Sequence, residues 1–381
     1  MNLSKNFLSH FSCVIDPRKE THNKRHQLAD ILVLTLLASI CGAQTWTDVE
    51  EFGKSKEEWL KTFLKLPNGI PSHDTIGDLY ARLSPSQLQQ GFLSWVQSLV
   101  EVSGGDIIPI DGKTLRRSYD RADGRGAIHM VSAWSSANGV VLGQLKTEEK
   151  SNEITAIPEL LGMLDIKGCI VTIDAMGCQK EIAKQIVTQE GDYVLALKGN
   201  QGGLFEDVQL YMDSLINQQL KNKPMQTTQT LDKGHGRIEE RRYWITDSID
   251  WLPKKQDWEG LKSIGVVESI RSIGEKVTTE RRYYINSLPM NAVRFSDAVR
   301  THWSIENQLH WSLDVSFNED QCRVRKDNAP ENFSIIRHIA LSMLKREKNS
   351  KLGINIKRNK AGWDICVIHR DSFNFFIIKS V

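Results

Sequence analysis

The sequence predicts an α/β protein with a small all-α N-terminal domain and a β-rich insertion. Apolar residues at helical spacing characterise residues 1–101, whereas short β-rich runs alternate with helical segments over residues 102–226. A second group of β-rich runs occupies residues 227–290, and the pattern becomes helical again over residues 291–348. Residues 349–381 form a C-terminal tail. These five ranges are the predicted domain organisation.

The composition is that of a globular chain. Of 381 residues, 40% are hydrophobic and 25% are charged, which suits two or three domains with sizeable cores. The 49 basic and 47 acidic residues give a net charge of +2, so any polyanion site must come from local clustering. The first long apolar run, residues 31–40, is shorter than the roughly 20 residues that span a bilayer. Six cysteines without a Cys-x-x-Cys motif indicate reduced thiols, and we expect a cytoplasmic protein without a membrane partner.

The N-terminal domain is predicted to contain four short helices. Ser84 and Pro85 show the start signals, because serine caps helix N-termini and proline fits the first helical position. Either Ser72 or Asp74 can cap the preceding helix in the same way. Such a domain is compatible with a helix-turn-helix DNA reader, although short helical pairs are more often plain bundles. The predicted helices cover residues 26–42, 46–64, 74–83 and 84–100.

Two predicted strands of the central region end in an acid, at Asp111 and Asp174. Ligands of open α/β sheets bind at the carboxyl ends of strands, so these positions are candidate site residues. A third acid, Glu306, lies on a long predicted helix near the C-terminus. The predicted strands cover residues 106–111, 127–134, 139–145, 169–174, 192–197, 241–246, 263–270 and 278–285. The predicted helices beyond the N-terminal domain cover residues 154–164, 179–189, 203–215, 295–315 and 330–348.

Three converging carboxylates would suit divalent cations. Mg²⁺ prefers oxygen ligands and is commonly held by a few carboxylates, water and substrate phosphates. Two such ions about 3.5–4 Å apart can activate an attacking oxygen and stabilise the leaving oxygen of an in-line phosphoryl transfer. Aspartates at strand ends also form ordinary turns, so on spacing alone a turn-forming role is the alternative to metal binding.

The third acid has rivals. Asp314, Glu319 and Asp320 follow Glu306 closely and are either alternative ligands or surface charges. At α-helical spacing, His302, Glu306 and His310 would share one helix face, which raises a zinc site as an alternative. The segment lacks the His-Glu-x-x-His spacing of zinc proteases, so this alternative is disfavoured.

Basic residues follow the acidic motifs. Each cluster alone is typical of a solvated surface, but together they suit a groove that binds the phosphate backbone of DNA. A nucleotide cofactor is not expected, because Gly112-Lys113-Thr114 has Ile107 where a phosphate-binding loop needs glycine. The candidate DNA-binding residues are Lys113, Arg116, Arg117, Lys198, Arg237, Arg323 and Arg325.

Four motifs carry a family resemblance. They are residues 110–117 (IDGKTLRR), 171–179 (VTIDAMGCQ), 192–201 (DYVLALKGNQ) and 302–311 (HWSIENQLHW). Together they resemble bacterial insertion-sequence DDE transposases, and the closest similarity is to the H-repeat-associated group. The resemblance extends over residues 7–363, and N-terminal segments 16–18 (DPR), 42–46 (GAQTW) and 69–74 (GIPSHD) also match that group.

The resemblance implies a ribonuclease-H-like catalytic core with a β insertion before the last acid. It implies Asp111, Asp174 and Glu306 as the catalytic residues and Mg²⁺ ligands, with Mn²⁺ able to substitute. The implied activity is strand cleavage and strand transfer on double-stranded DNA, with element ends and target as partners. Two DNA ends imply a homodimer on DNA, and the implied compartment is the bacterial cytoplasm.

Two departures from the family keep other functions open. His302 stands where related transposases have an arginine, and the tail after Trp363 does not resemble the usual ending. An inactive or repurposed relative that binds DNA without cutting it is therefore the main alternative. A ribonuclease-H-like nuclease without transposition is the third hypothesis.

Overall fold

The computed structural model of the chain divides into two compact units. We call residues 1–101, 112–150 and 306–381 the helical unit, and residues 102–111 and 151–305 the sheet unit. None of the helices among the described residues is long and apolar enough to span a membrane. The tail after Trp363 lies outside the described part of the chain. The structure describes residues 3–22, 24–100, 104–119, 126–147, 153–218, 220, 222–234, 236–347 and 350–363.

The described N-terminal elements of the helical unit are helices. They are α1 (Leu3–His10), α2 (Leu28–Ile40), α3 (Trp46–Ser55), α4 (Glu57–Leu60), α5 (His73–Arg82) and α6 (Pro85–Leu99). Ser72 and Ser84 cap α5 and α6 by accepting backbone N–H groups of the first turn. The single helix predicted over residues 46–64 is interrupted at Lys56, whose φ of −120° and ψ of 14° depart from helical values. Helix α1 is absent from the sequence prediction.

The remaining elements of the helical unit are a β-hairpin and three helices, one of which is buried. They are β2 (His129–Ser135), β3 (Val140–Lys146), α11 (Trp311–Phe317), α12 (Ala329–Arg346) and α13 (Ile354–Trp363). Helix α12 is buried along most of its length and contacts α2, α5, α6 and β3. The antiparallel hairpin of β2 and β3 lies beside the end of strand β1 (Ile107–Thr114), of which residues 112–114 belong to this unit.

A mixed sheet is the framework of the sheet unit. Across the sheet the strands are β1, of which residues 107–111 belong here, then β4 (Ile170–Ile173), β5 (Asp192–Leu197), β9 (Lys276–Asn286), β8 (Ser263–Ile273), β7 (Arg237–Thr246) and β6 (Gln226–Gly234). Strands β1, β4 and β5 are parallel, whereas β9 to β6 are antiparallel. The helices of this unit are α7 (Glu153–Gly162), α8 (Lys180–Thr188), α9 (Gly203–Ile216) and α10 (Ala292–Ser304).

Helix α10 packs across one face of this sheet. Phe295 is fully buried and meets the rings of Tyr243 and Tyr284 edge-on, with centroids 6.3 and 5.5 Å away. Ile170 and Val194, from parallel strands β4 and β5, belong to the same apolar cluster. This packing gives α10 a fixed position over the parallel strands.

The α/β class predicted from the sequence is confirmed, and the region predicted to be β-rich contains one strand more than the three named there. Strand β6 is the addition, and most of its side chains are exposed. Its sequence, QTTQTLDKG, lacks the apolar alternation that marks a half-buried strand, which is why the pattern missed it.

We expect Gly265→Ala to destabilise the sheet unit. A Cβ at Gly265 on β8 would lie 2.6 Å from Cζ of Phe295, and the aromatic ring is held by the cluster around it. Overpacking of this kind typically costs about 1–3 kcal/mol, measurable as the free energy of unfolding in urea. Gly234→Ala is the matched control, because a Cβ there meets no atom within 4 Å. Equal stability of the two variants would contradict the packing described for α10.

Candidate active site

Asp111 on β1 and Asp174, directly after β4, follow paired positions of neighbouring strands. In the parallel pairing of these strands Ile110 is opposite Ile173, and the next residue on each is an aspartate, Asp111 and Asp174. Neighbouring strands are about 4.8 Å apart, so the two carboxylates emerge within reach of a common cation. Both residues are only partly buried. The sheet unit therefore presents two adjacent carboxylates at the carboxyl edge of its parallel strands.

The turn after β4 holds Asp174 in place. Oδ1 of Asp174 accepts the backbone N–H groups of Met176 at 2.9 Å and Gly177 at 3.4 Å. A Cβ on Gly177 would lie 2.3 Å from Cγ2 of Ile173, so the tight turn needs glycine at this position. The carboxylate is thus oriented by the backbone directly after its strand.

The loop after β5 supports the same turn. Asn200 Nδ2 donates to the carbonyl oxygen of Ala175 at 2.7 Å, and Gln201 Nε2 donates to that of Cys178 at 2.5 Å. The sequence pattern predicts Lys198 as a DNA contact, and it did not predict this role of Asn200 and Gln201. Lys198, which is exposed, precedes them at the end of β5.

His302, on α10, lies over the face of β4 that carries Asp174. Its Nδ1 is 3.0 Å from Oγ1 of Thr172, and Thr172 and Asp174 point to the same side because side chains alternate along a strand. Burial lowers the pKa of His302 to about 4, although the charge of Asp174 acts in the opposite direction. The imidazole is therefore neutral at pH 7 and adds no positive charge beside the carboxylate.

Glu306 lies in a π-helical turn, Ile305–His310, between α10 and α11. Its side chain is exposed, whereas burial lowers the pKa of His310 to about 3. The common face predicted for His302, Glu306 and His310 assumed α-helical spacing, and the wider π-helical turn changes that spacing. The zinc alternative is thus unsupported. Turns of this kind are frequent at functional sites.

The rival acids are bound to Lys113 within the helical unit. Lys113 Nζ lies 2.6 Å from Oδ1 of Asp314, 2.8 Å from Oε2 of Glu319 and 3.5 Å from Oδ1 of Asp320. Glu319 is buried, and burial would raise its pKa, but the charges of Lys113 and Arg337 lower it to about 2. Among these four acids Glu306 is the exposed one.

This arrangement changes the interpretation of Lys113. The sequence analysis proposed it as a DNA contact, whereas its side chain is 11% exposed and its charge is neutralised inside the fold. A lysine beside an acidic motif has the same local sequence in both cases, so the pattern could not distinguish them.

The other candidate DNA-binding residues lie at the surface or near it. In the helical unit, Arg116 is 79% exposed and contacts Asp320 at 3.2 Å. Arg325 Nε donates to the carbonyl oxygen of Arg117 at 3.0 Å. Lys198 and Arg237, which is 46% exposed, belong to the sheet unit.

A cleft of about 520 Å³ in the helical unit brings Arg323 and Arg325 together with two helix N-termini. Thr45 caps α3 at its edge, and the first turn of α5 supplies the opposite side. Backbone N–H groups at helix N-termini attract anions. The lining residues are Thr45, Trp46, Thr47, His73, Asp74, Gly77, Asp78, Arg323, Val324, Arg325 and Lys326.

The two carboxylates of the sheet unit suit a divalent cation that is bound through oxygen ligands. Asp111 and Asp174 supply the carboxylate oxygens that Mg²⁺ prefers. Among the residues that the structure describes, no three or more His, Cys, Asp or Glu side chains form a group that could hold a metal ion. The role of Glu306 as third ligand therefore stays a prediction.

Comparison with known proteins identifies the family. Residues 103–343 match the family model described as "Transposase DDE domain". The chain belongs to the DDE transposase family. Residues 8–96 of this transposase-family chain match a second model, described as "DDE_Tnp_1-associated".

Similar chains carry transposase names. The "H repeat-associated putative transposase YhhI" of Escherichia coli K12 is 45% identical over 365 residues, covering 94% of this chain and 96% of the relative. The "Putative transposase YncI" of Escherichia coli O157:H7 is 43% identical over 368 residues, covering 96% and 93%. A solved piggyBac transposase synaptic complex with hairpin DNA aligns with 98% of this chain and 81% of that one, at 11% identity. Its TM-score of 0.44 is too low to support an argument.

We expect the buried histidines of this transposase-family chain to cause a loss of stability in mild acid. Burial lowers the pKa of His338 from 6.5 to about 4. Because the unfolded chain then binds a proton before the folded one, the free energy of unfolding falls as the pH drops from 6.5 towards 4. His338→Gln should reduce this loss by up to about 3 kcal/mol, measured by urea unfolding across that pH range.

His73→Gln is the control for this measurement. Glu50 raises the pKa of His73, so the stability that His73 contributes is lost as the pH rises. The free energy of unfolding of His73→Gln should therefore still fall as the pH drops from 6.5 towards 4. An acid-side loss equally large in His338→Gln would show that His338 does not cause it.

Proposed function

We propose that this chain catalyses metal-dependent DNA strand cleavage and strand transfer during insertion-sequence transposition. The observation that carries the proposal is the side-by-side position of Asp111 and Asp174 at the carboxyl edge of parallel strands. Membership of the DDE transposase family supports the same activity.

The topology supports a ribonuclease-H-like core. Strands β1, β4 and β5 are parallel, and the antiparallel hairpin of β2 and β3 comes between β1 and β4 in the chain. Strands β6 to β9 come between β5 and the helix that leads to Glu306, where the family resemblance implies an insertion.

The proposed metal ligands are Asp111, Asp174 and Glu306. When bound, Mg²⁺ or Mn²⁺ would activate the attacking water or DNA 3′-hydroxyl and stabilise the leaving oxygen. The chain's own contribution is orientation. The N–H groups of Met176 and Gly177 fix Asp174, and His302, which is neutral, contacts Thr172 on the same strand without repelling a cation.

The proposed partner is double-stranded DNA, bound at element ends and target. Arg116, Arg117, Arg323 and Arg325 would contact phosphates from the helical unit. Lys198 and Arg237 would do so from the sheet unit, and Lys198 directly precedes the loop that supports the Asp174 turn. Two element ends would require a homodimer on DNA.

We expect Asp111→Asn and Asp174→Asn each to abolish strand transfer. The substitution keeps the shape of the side chain but removes the charge that holds the cation, so a loss of at least about 10³-fold follows. The measurement joins a pre-cut element-end duplex to a target plasmid in Mg²⁺ or Mn²⁺. Asp165→Asn is the control, because this acid precedes β4 at its opposite end.

Binding of the same duplex is measured alongside, by fluorescence anisotropy. Binding retained by the parent without cleavage or joining under either metal would favour the inactive relative. Cleavage without joining would favour a general nuclease.

We expect Arg323→Gln to weaken DNA binding at all sequences. Removing one phosphate contact should lower the slope of log Kd against log salt by about 1. Lys61→Gln, at the residue after α4, makes the same charge change in the same unit, away from the cleft, and should leave the slope unchanged. Equal slopes for the two variants would exclude the cleft from the DNA interface.

A further inference from the structure

Strand β1 continues past Asp111 to a lysine that is enclosed by carboxylates. Lys113 lies two residues after Asp111, and its side chain is 11% exposed. Its partners Asp314, Glu319 and Asp320 all follow Glu306 in the chain, on α11 and on the 3₁₀ turn Glu319–Gln321. The C-terminal end of β1 is thus joined by ion pairs to the segment that begins at Glu306.

We propose that Lys113 is a positioning residue, whose ammonium group holds residues 306–321 against the end of β1 and thereby fixes the orientation of Glu306. This inference rests on the proposed function, in which Glu306 is a metal ligand.

The contacts of Glu319 show how the segment is held. Its Oε2 faces Lys113 at 2.8 Å, whereas its Oε1 faces Nη1 of Arg337 at 3.7 Å and Oγ of Ser334 at 3.5 Å, both on α12. Glu319 is 1% exposed and therefore bridges β1 and the buried helix α12. Rearranging this segment would leave a buried carboxylate without its partners, which is costly.

Asp314 extends the same attachment to α11. Its Oδ1 is 2.6 Å from Lys113 Nζ, eight residues after Glu306 on the continuous helix. The π-helical turn that contains Glu306 departs from the regular α-helical ladder, so its position depends on how the helix after it is anchored. Lys113 is the cation that binds both Asp314 and Glu319. Asp320 is shared between Lys113 at 3.5 Å and Arg116 at 3.2 Å.

Experiments can distinguish an ion pair that only stabilises the fold from one that positions Glu306. Lys113→Met alone leaves Glu319 with an unbalanced buried charge, so its effects would mix both roles. The double variant Lys113→Met/Glu319→Gln removes both charges together and keeps similar volumes. If Lys113 only neutralises Glu319, this variant should behave as the parent does.

The experiment compares the parent, Lys113→Arg and the double variant by thermal melting, hydrogen exchange and Mn²⁺ binding. We expect the double variant to melt within a few degrees of the parent. Exchange in peptides covering residues 305–321 should rise about tenfold, and the Kd for Mn²⁺ should rise about tenfold, as for other residues that orient metal ligands. Lys113→Arg, which keeps the positive charge, should retain most of the parent's protection from hydrogen exchange in these peptides.

A second ion pair of low exposure supplies the matched control. Arg18 Nη2 lies 2.7 Å from Oδ2 of Asp16, and their side chains are 10% and 13% exposed. Arg18→Met/Asp16→Asn removes a similar pair from the N-terminal part of the same unit and should leave exchange at residues 305–321 and Mn²⁺ affinity unchanged.

Parental exchange and Mn²⁺ affinity in Lys113→Met/Glu319→Gln would overturn the inference. A parent that binds no Mn²⁺ would instead contradict the proposed function. In that case hydrogen exchange alone decides whether Lys113 anchors residues 306–321.

Discussion

The parallel register between β1 and β4 is the constraint on which the proposed chemistry depends. A shift of one residue in either strand would turn its aspartate to the opposite face of the sheet. Two glycines connect the segments that precede β1 and β4, because the N–H of Gly105 donates to the carbonyl oxygen of Gly168 at 2.6 Å. Their φ values are +98° and +71°, and a Cβ on Gly168 would lie 3.2 Å from Cα of Gly104. Close backbone approach at the start of the strands thus determines where Asp111 and Asp174 emerge at their ends.

Environment separates the roles of acids that look alike in the sequence. Asp111 and Asp174 are partly accessible, and Glu306 is exposed. Glu319 is buried and bound to Lys113, and its charge is needed inside the fold. The same logic applies to the histidine beside the site, because burial keeps His302 neutral where a charged group would oppose a cation. Asp111, Asp174 and Glu306 are therefore reachable from solvent, whereas the charge of Glu319 stabilises the fold.

Local patterns predicted the elements whose signals are local. Ser84 and Pro85 start α6 as predicted, and strands β1 and β4 follow from buried apolar runs, although β1 was predicted to end at Asp111 and continues to Thr114. The pairing that puts Asp111 beside Asp174 is a long-range property that one sequence does not contain. The π-helical turn around Glu306 has no sequence signature, so the sequence pattern assumed α-helical spacing between His302 and His310, which the structure does not have. The role of Lys113 depends on acids about 200 residues later, which explains why it resembled a phosphate contact.

The most direct test of the account is the anomalous scattering of a crystal soaked in Mn²⁺. The account predicts a peak about 2.0–2.4 Å from carboxylate oxygens of both Asp111 and Asp174, since hard cations bind such oxygens at these distances. A peak that contacts only one of these two aspartates, or a crystal that binds Mn²⁺ elsewhere and leaves both carboxylates bare, would contradict it.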